Sequence, residues 1–419
     1  MSAMSRKAVF VICAGCLIVS IGMGIRHSFG VFLGPMTTSL GLGRETFALA
    51  LALQQIMWGL SSPLGGMVAD RYGAGRVLVF GAIVYACGLA AMSAPGEFLG
   101  LNLGAGILIG IGLGFTGFSV VLGAVGRVVP AAKRSMAFGL VTAFGSFGQF
   151  AFAPFSQTLI SAQGWPAGLM ILGGVSLLMA PIAIFLAGRP EDQMAMGAGR
   201  VAGAKSGSTP APHTLAPASL RAALSEASAH KGFWFLTLGF FVCGFQVMFI
   251  AVHFPSYVKD VGLSPGLGAT ALGLVGLFNI AGTFACGYLG GRYSKKYLLS
   301  SLYLLRALVF IVFLLAPKTE VSVLIFAASL GLLWLGTVPL TSGIVAQVFG
   351  PRYMSTLFGI VFLSHQVGSF LGVWLGGYFY DTTGSYDVVW IGGILLGFFA
   401  GLIHLPIAEA PLRAEAAQI

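Results

Sequence analysis

The chain has 419 residues, of which 57% are hydrophobic and 8% charged, and its mean hydropathy is +0.94. A soluble domain carries roughly 25% charged residues, so no hydrated polar surface can cover this chain and a water-soluble globular fold is excluded. Its 22 Lys and Arg against 12 Asp and Glu give a net charge of +10, but the basic residues stand in twos and threes between apolar runs, which excludes the continuous stripe that tracks nucleic-acid phosphates.

Apolar runs able to cross about 30 Å of hydrocarbon predict an all-α membrane protein with twelve transmembrane helices. The first run, at 8–33, continues past about 20 residues and lacks a small-residue cleavage site, so it reads as a span and not as a removed signal peptide. Cys13 and Cys16 lie on it. They stand three apart within an apolar run, and with Cys87, Cys243 and Cys286 they show no disulfide-framework spacing; all five read as small packing residues. Arg26 and His27 stand near the outer part of this helix. An ionisable side chain inside a bilayer costs on the order of 2.5–3.5 kcal/mol on insertion scales unless it is paired, solvated or snorkelling, so each one is informative. Arg26 is a candidate anchor for an anionic ligand; the alternative is an Arg that snorkels to the headgroups.

The second run, 47–68, carries Gln54, Gln55 and Trp58 as candidate cavity walls. A short basic turn follows at 66–76, then runs at 77–94, 98–124, 135–160, which holds Gln149, and 167–187. Residues 188–231 are rich in Pro, Ala, Ser and Gly and read as a linker with a short amphipathic helix around 219–229. The chain is thereby divided into an N-terminal six-helix bundle at 1–187, a cytoplasmic linker at 188–231 and a C-terminal six-helix bundle at 232–419.

The second set of runs lies at 233–257, 267–290, 297–316, 321–347, 354–379 and 386–407. Helix 7 carries Gln246 and His253, helix 9 carries Arg306 about ten residues in, helix 10 carries Trp334, and helix 11 carries His365 beside Gln366. No Asp or Glu lies well inside any span. Cations without an acidic partner suggest that the counter-charge arrives with the ligand, and a carboxylate suits the forked donors of guanidinium. Arg306 has two equal readings: ligand contact, or a buried pairing with backbone carbonyls. His27, His253 and His365 are candidates for carrying a coupled proton, since His titrates most readily near neutral pH. His404, near the cytoplasmic end of helix 12, is set aside. The 62 Gly fit helices that approach closely in lipid.

Lys and Arg are concentrated in alternate connections. One set holds Arg6, Lys7, Arg71, Arg76, Arg127, Lys133, Arg134, the linker's basic residues, Arg292, Lys295, Lys296, Arg352 and Arg413; the other holds Arg44, Lys259 and Lys318. By the positive-inside rule both termini and the linker are expected on the cytoplasmic side of the inner membrane. The halves also repeat. With a shift of about 221 residues the segment from Gly66 to Tyr72 falls on that from Gly287 to Tyr293, and with about 220 Ser135, Phe138, Gly139 and Gly148 fall on Ser355, Phe358, Gly359 and Gly368. Such duplication predicts a pseudo-two-fold axis between the halves. Under it Arg26 falls on Gln246, so the two are expected to confront each other.

Gly66-x-x-x-Asp70-Arg71-x-Gly73-x-x-Arg76, in the turn between helices 2 and 3, resembles the signature loop of the major facilitator superfamily. The weaker copy, from Gly287 to Lys296, has Gly291 where the acid would stand. The resemblance spans the chain and implies twelve helices in two pseudo-symmetric six-helix bundles, with Asp70, Arg71, Arg76 and Arg292 in a cytoplasmic gate released during alternating access. Physically, a small Gly lets helix ends close together, and an Asp can sit at a helix N-terminus or pair with Arg. The segment from Arg26 to Phe32 is similar to helix 1 of the monocarboxylate transporter and oxalate/formate antiporter branch. There a basic residue four positions before the Val-Phe binds substrate carboxylate; here that position is His27, with Arg26 beside it. The helix 8 acid and Arg of the animal carriers are replaced by Asn279 and Thr283, which puts their proton relay in doubt here.

With no GxxxxGK[ST] loop, HExxH or nucleophile motif in the spans, the expectation is a secondary transporter and not an enzyme, without cofactor, metal or nucleic-acid partner. It would move a small organic anion, a monocarboxylate, by proton symport or anion exchange, with Arg26, His27, Gln246, Asn279, Arg306 and His365 around the ligand. A facilitator-type efflux pump for amphipathic compounds and a membrane sensor are the alternatives. The resemblance implies a monomer.

Overall fold

The computed structural model describes residues 4–41, 44–94, 97–188 and 219–412, and every regular element among them is a helix. Most of the linker and residues 413–419 lie outside the described residues. α1 (Arg6–His27) opens on Ser5, whose side chain accepts from Ala8 N at 3.0 Å, and after a turn at Ser28 the chain continues as α2 (Phe29–Leu40). α3 (Arg44–Tyr72) and α4 (Ala74–Ser93) meet at Gly73, whose φ of 94° is costly for a side chain with a Cβ. A π-helical stretch (Glu97–Leu108) runs into α5 (Ile109–Thr116), and an extended Gly117 separates that from α6 (Phe118–Val128).

α7 (Ala131–Leu177) has 47 residues, which at 1.5 Å per residue would be about 70 Å if straight, more than twice a bilayer core. It is two crossings. Gly164 breaks the helix with φ 81° and ψ 163°, and a Cβ on Gly168 would stand 3.6 Å from Leu159 Cβ, so the second arm folds back on the first. The short α8 (Met179–Ile182) and a 3-10 turn (Ala183–Leu186) end the first half. α9 (Leu220–Ala229) is the linker helix, capped by Ser219.

The second half holds α10 (Lys231–Asp260), α11 (Pro265–Gly290), α12 (Lys295–Leu315), α13 (Glu320–Leu333), α14 (Thr337–Phe349), α15 (Met354–Thr383) and α16 (Asp387–His404). α13 and α14 are one crossing interrupted at 334–336. Counting α1 with α2, α5 with α6, α13 with α14, and both arms of α7, the chain crosses twelve times. By length and composition alone ten stretches qualify as spans among the described residues; there the arms of α7 count as one, and α3, with buried Gln54, Gln55, Ser61 and Ser62, is not among them. Outward faces carry exposed Phe10, Phe80, Leu305, Ile325 and Leu395, the surface expected toward lipid.

The halves meet along α3 with α15 and α7 with α11. Under the repeat, exchanging the halves turns one contact into the other, as a pseudo-two-fold axis requires. Both contacts depend on glycine: a Cβ on Gly139 would lie 2.6 Å from Gly287 Cα, and one on Gly359 2.8 Å from Pro63 Cα.

Candidate functional site

At the turn carrying the signature motif, Asp70 ends α3 with its side chain shut away from solvent. Its Oδ1 accepts from Arg127 Nη1 at 2.8 Å, and its Oδ2 accepts from Thr356 N at 2.7 Å and Thr356 Oγ1 at 2.8 Å. Arg127 also donates to Ser355 Oγ at 3.4 Å. The carboxylate therefore caps the N-terminus of α15 while pairing with α6, and the two halves are joined on this side. Burial makes the pair depend on these extra bonds, because a desolvated charge is tolerated only when fully partnered.

Of the four expected gate residues, only Asp70 enters this interlock. Arg71, Arg76 and Arg292 are exposed, Arg71 over the Tyr72 ring and Arg292 over the Tyr288 ring; their long side chains reach the surface from helix ends. The cation that matters is Arg127, which sequence reasoning counted only toward membrane orientation. Two signals could have found it: it stands alone in the apolar stretch Val125 to Val129, and under the repeat it falls on Gln347. In the second copy Glu409 supplies the carboxylate that Gly291 lacks. It accepts from Lys296 N at 2.9 Å and Ser294 Oγ at 2.7 Å, and its backbone oxygen accepts from Gln347 Nε2 at 2.9 Å. This contact stays within one half.

Farther from the interlock, Gln366 Nε2 donates to Gln55 Oε1 at 3.1 Å, Gln55 Nε2 to Met248 Sδ at 3.4 Å, and Asn279 Nδ2 to Ser146 Oγ at 2.7 Å, all between halves. Beside this layer the Trp58 ring of α3 meets Phe362 of α15 with centroids 5.0 Å apart. Arg26 also lies over Trp58, its Cζ 5.0 Å from the ring centre. The guanidinium is thus one ring away from the opposite half, at the seam. It is half-buried, its Nε is buried without a hydrogen-bond partner, and no Asp or Glu among the described residues pairs with it. Its Nη1 donates to His27 Nε2 at 3.2 Å, and His27 Nδ1 donates to Met23 O at 2.7 Å.

Arg306 is different. It is 1% exposed and its donors are taken. Nε donates to Leu333 O at 3.0 Å, Nη2 to Leu333 O at 2.7 Å and to Trp334 O, and Nη1 to Gln246 Oε1 at 3.3 Å and Cys243 Sγ at 3.5 Å. Those carbonyls belong to the break between α13 and α14. Of the two sequence readings the structure therefore takes the pairing with backbone carbonyls. Gln246 corrects another expectation: it does not confront Arg26, because its Nε2 donates to Gly393 O at 2.8 Å on α16 while its oxygen faces Arg306. Repeat-related positions need not face each other when they lie on helix flanks turned into their own halves.

Asn279 is buried at the seam, its Oδ1 accepting from Thr283 Oγ1 at 2.8 Å and Leu335 N at 3.0 Å. His365 is buried against Phe240 and Phe362, with Nδ1 2.9 Å from Gln366 Oε1. His253 is half-buried and bonded to Val373 O at 2.8 Å. Among the described residues around this layer, Arg26 Nε and the neighbouring Trp58 Nε1 are buried donors without a hydrogen-bond partner. No group of three or more His, Cys, Asp or Glu among the described residues could hold a metal ion.

A family model described as Major Facilitator Superfamily matches residues 10–372. Monocarboxylate transporter 12 of Rattus norvegicus is 26% identical over 417 residues, covering 93% of this chain and 85% of that protein. The uncharacterized MFS-type transporter YcxA of Bacillus subtilis (strain 168) is 24% identical over 394 residues, covering 89% and 88%. The crystal structure of the E. coli fucose:proton symporter FucP has the same fold, with a TM-score of 0.67 at 15% identity, covering 95% of this chain and 98% of that one.

Proposed function

The chain belongs to the major facilitator superfamily, and from that premise we propose that it carries a small monocarboxylate across the inner membrane with Arg26 as the anchor of the carboxylate. It is a multi-pass membrane transporter related to monocarboxylate transporters, not an enzyme. One observation carries the choice of cargo: Arg26 is an ionised group at the seam of the halves with a buried, unpartnered Nε, and among the described residues no acid neutralises it. An arriving carboxylate would supply both the missing charge and the missing acceptor, in the forked geometry that guanidinium favours. Arg306 is spent on the backbone, so of the two intramembrane arginines Arg26 and Arg306 only the first is available, which favours a monoanion over a dicarboxylate.

Transport would proceed by alternating opening of the halves about this seam. The Asp70 interlock closes the side assigned to the cytoplasm, where both termini are placed by the Lys and Arg bias, and it would part when that side opens. The driving force is a proton gradient or an exchanged anion. Hydrogen bonds to charged groups contribute about 1.5–3 kcal/mol each, so Arg26→Gln should lower monocarboxylate uptake into proteoliposomes by more than about tenfold while the thermal unfolding midpoint stays near wild type. Undiminished uptake by the variant contradicts the proposal.

A further inference from the structure

We infer that the Arg26–His27 pair couples the anion to a proton: His27 takes a proton on Nε2 only while a carboxylate occupies Arg26. The inference rests on the proposed anchoring role of Arg26. It starts from the two hydrogen bonds of His27. Met23 O can only accept, so Nδ1 carries the hydrogen of that 2.7 Å bond. Nε2 then holds a lone pair, and Arg26 Nη1 donates to it at 3.2 Å. With these two bonds the imidazole is neutral and its one basic nitrogen is occupied by the neighbouring cation. A proton arriving at Nε2 would set N–H against N–H and place two cations side by side.

A carboxylate bound to Arg26 removes both obstacles. It takes the guanidinium donors, which withdraws Nη1 from the imidazole, and it cancels the charge that opposed a second cation. His27 also stands in the last turn of α1, where unsatisfied helix carbonyls favour positive charge. Among the described residues the other surroundings bring no competing acid. α3 contributes the Trp58 ring, α2 carries no ionisable residue, and α7 places Gly148 and the Phe152 ring against Gly24. α4 brings Tyr85, whose hydroxyl already donates to Gly22 O at 3.0 Å, and it is the further titratable group facing the pair among the described residues. The step makes no covalent bond. One proton leaves water on the side of entry for His27 Nε2 as one carboxylate reaches Arg26; on the other side the anion departs, Nη1 returns to Nε2 and the proton goes to water. The loaded pair gains no net charge, and the missing helix 8 acid is not needed.

Binding of pyruvate, lactate and formate to purified protein, measured calorimetrically in two buffers of different ionisation enthalpy, gives protons taken up per anion bound. This ratio does not depend on affinity, so a purely structural role for His27 would leave it unchanged. Wild type is expected to take up a substantial part of one proton, up to about one, per anion at pH values above the free imidazole range of roughly 6.5, and H27Q close to none. A wild-type ratio near zero, or an H27Q ratio equal to wild type, overturns the coupling while leaving Arg26 as anchor. If H27Q does not fold, His27→Asn provides the same comparison and the wild-type ratio still decides. Equal anion binding by wild type and Arg26→Gln would instead overturn the anchor, and the coupling with it.

Discussion

Arg26 and Arg306 show how much a residue's depth reveals and how much its direction hides. Hydropathy marked both as cations within apolar helices, and that much was legible. Which way each side chain turns depends on neighbouring helices, which no pattern in α1 or α12 encodes. Arg26 turns to the seam and keeps a donor unmet, whereas Arg306 turns to the broken helix and bonds Leu333 O and Trp334 O. The same limit explains Asp70 and Arg127: the acid was found by its motif, and its partner, 57 positions away, only by the fold. Removing Arg306 strands carbonyls inside the protein, and each unsatisfied buried group costs about 1–3 kcal/mol. Arg306→Leu should therefore lower the unfolding midpoint in detergent by several degrees. An unchanged midpoint with lost uptake would return Arg306 to the ligand site.

The helices themselves were largely readable, because runs near 20 apolar residues separated by charged turns admit few other interpretations. The break at Gly164 fell where two runs had been separated. The interruption between α13 and α14 did not, since the stretch Leu333, Trp334, Leu335 and Gly336 is as apolar as its flanks and contains no Pro. It persists because side chains from other helices satisfy its backbone: Arg306 for the carbonyls and Asn279 for Leu335 N. Glycine sets the approach of α7 to α11. Gly139→Val would drive a side chain into Gly287, an overpacking cost of about 1–3 kcal/mol that weakens closure on the Asp70 side. Hydrogen exchange at the Thr356 amide, which Asp70 protects, should rise. Gly276→Val on the same α11, where a Cβ meets nothing within 4 Å, should leave it unchanged; equal exchange in both variants would show that the glycine contact does not hold the halves.

At the scale of the whole molecule, duplication was visible in the matched segments, and the paired contacts of α3 with α15 and α7 with α11 follow from it. Symmetry failed as a guide where the copies diverged. The first copy spends its acid between halves, while in the second the carboxylate comes from Glu409 and stays within one half. The ionic interlock described at Asp70 thus has no counterpart at Gly291, and the polar seam holds the Arg26 guanidinium, which pairs with no acid among the described residues. That cation is the basis for assigning an anion as cargo. The direct test is ligand-dependent thermal stabilisation, since a ligand that binds only the folded state raises its apparent stability. Purified wild type, Arg26→Gln and Arg306→Gln are compared with and without a series of monocarboxylates. The carboxylate-induced rise is expected in wild type and, on a lower baseline, in Arg306→Gln, but not in Arg26→Gln. A rise that survives Arg26→Gln undiminished would contradict the claim that this guanidinium receives the cargo.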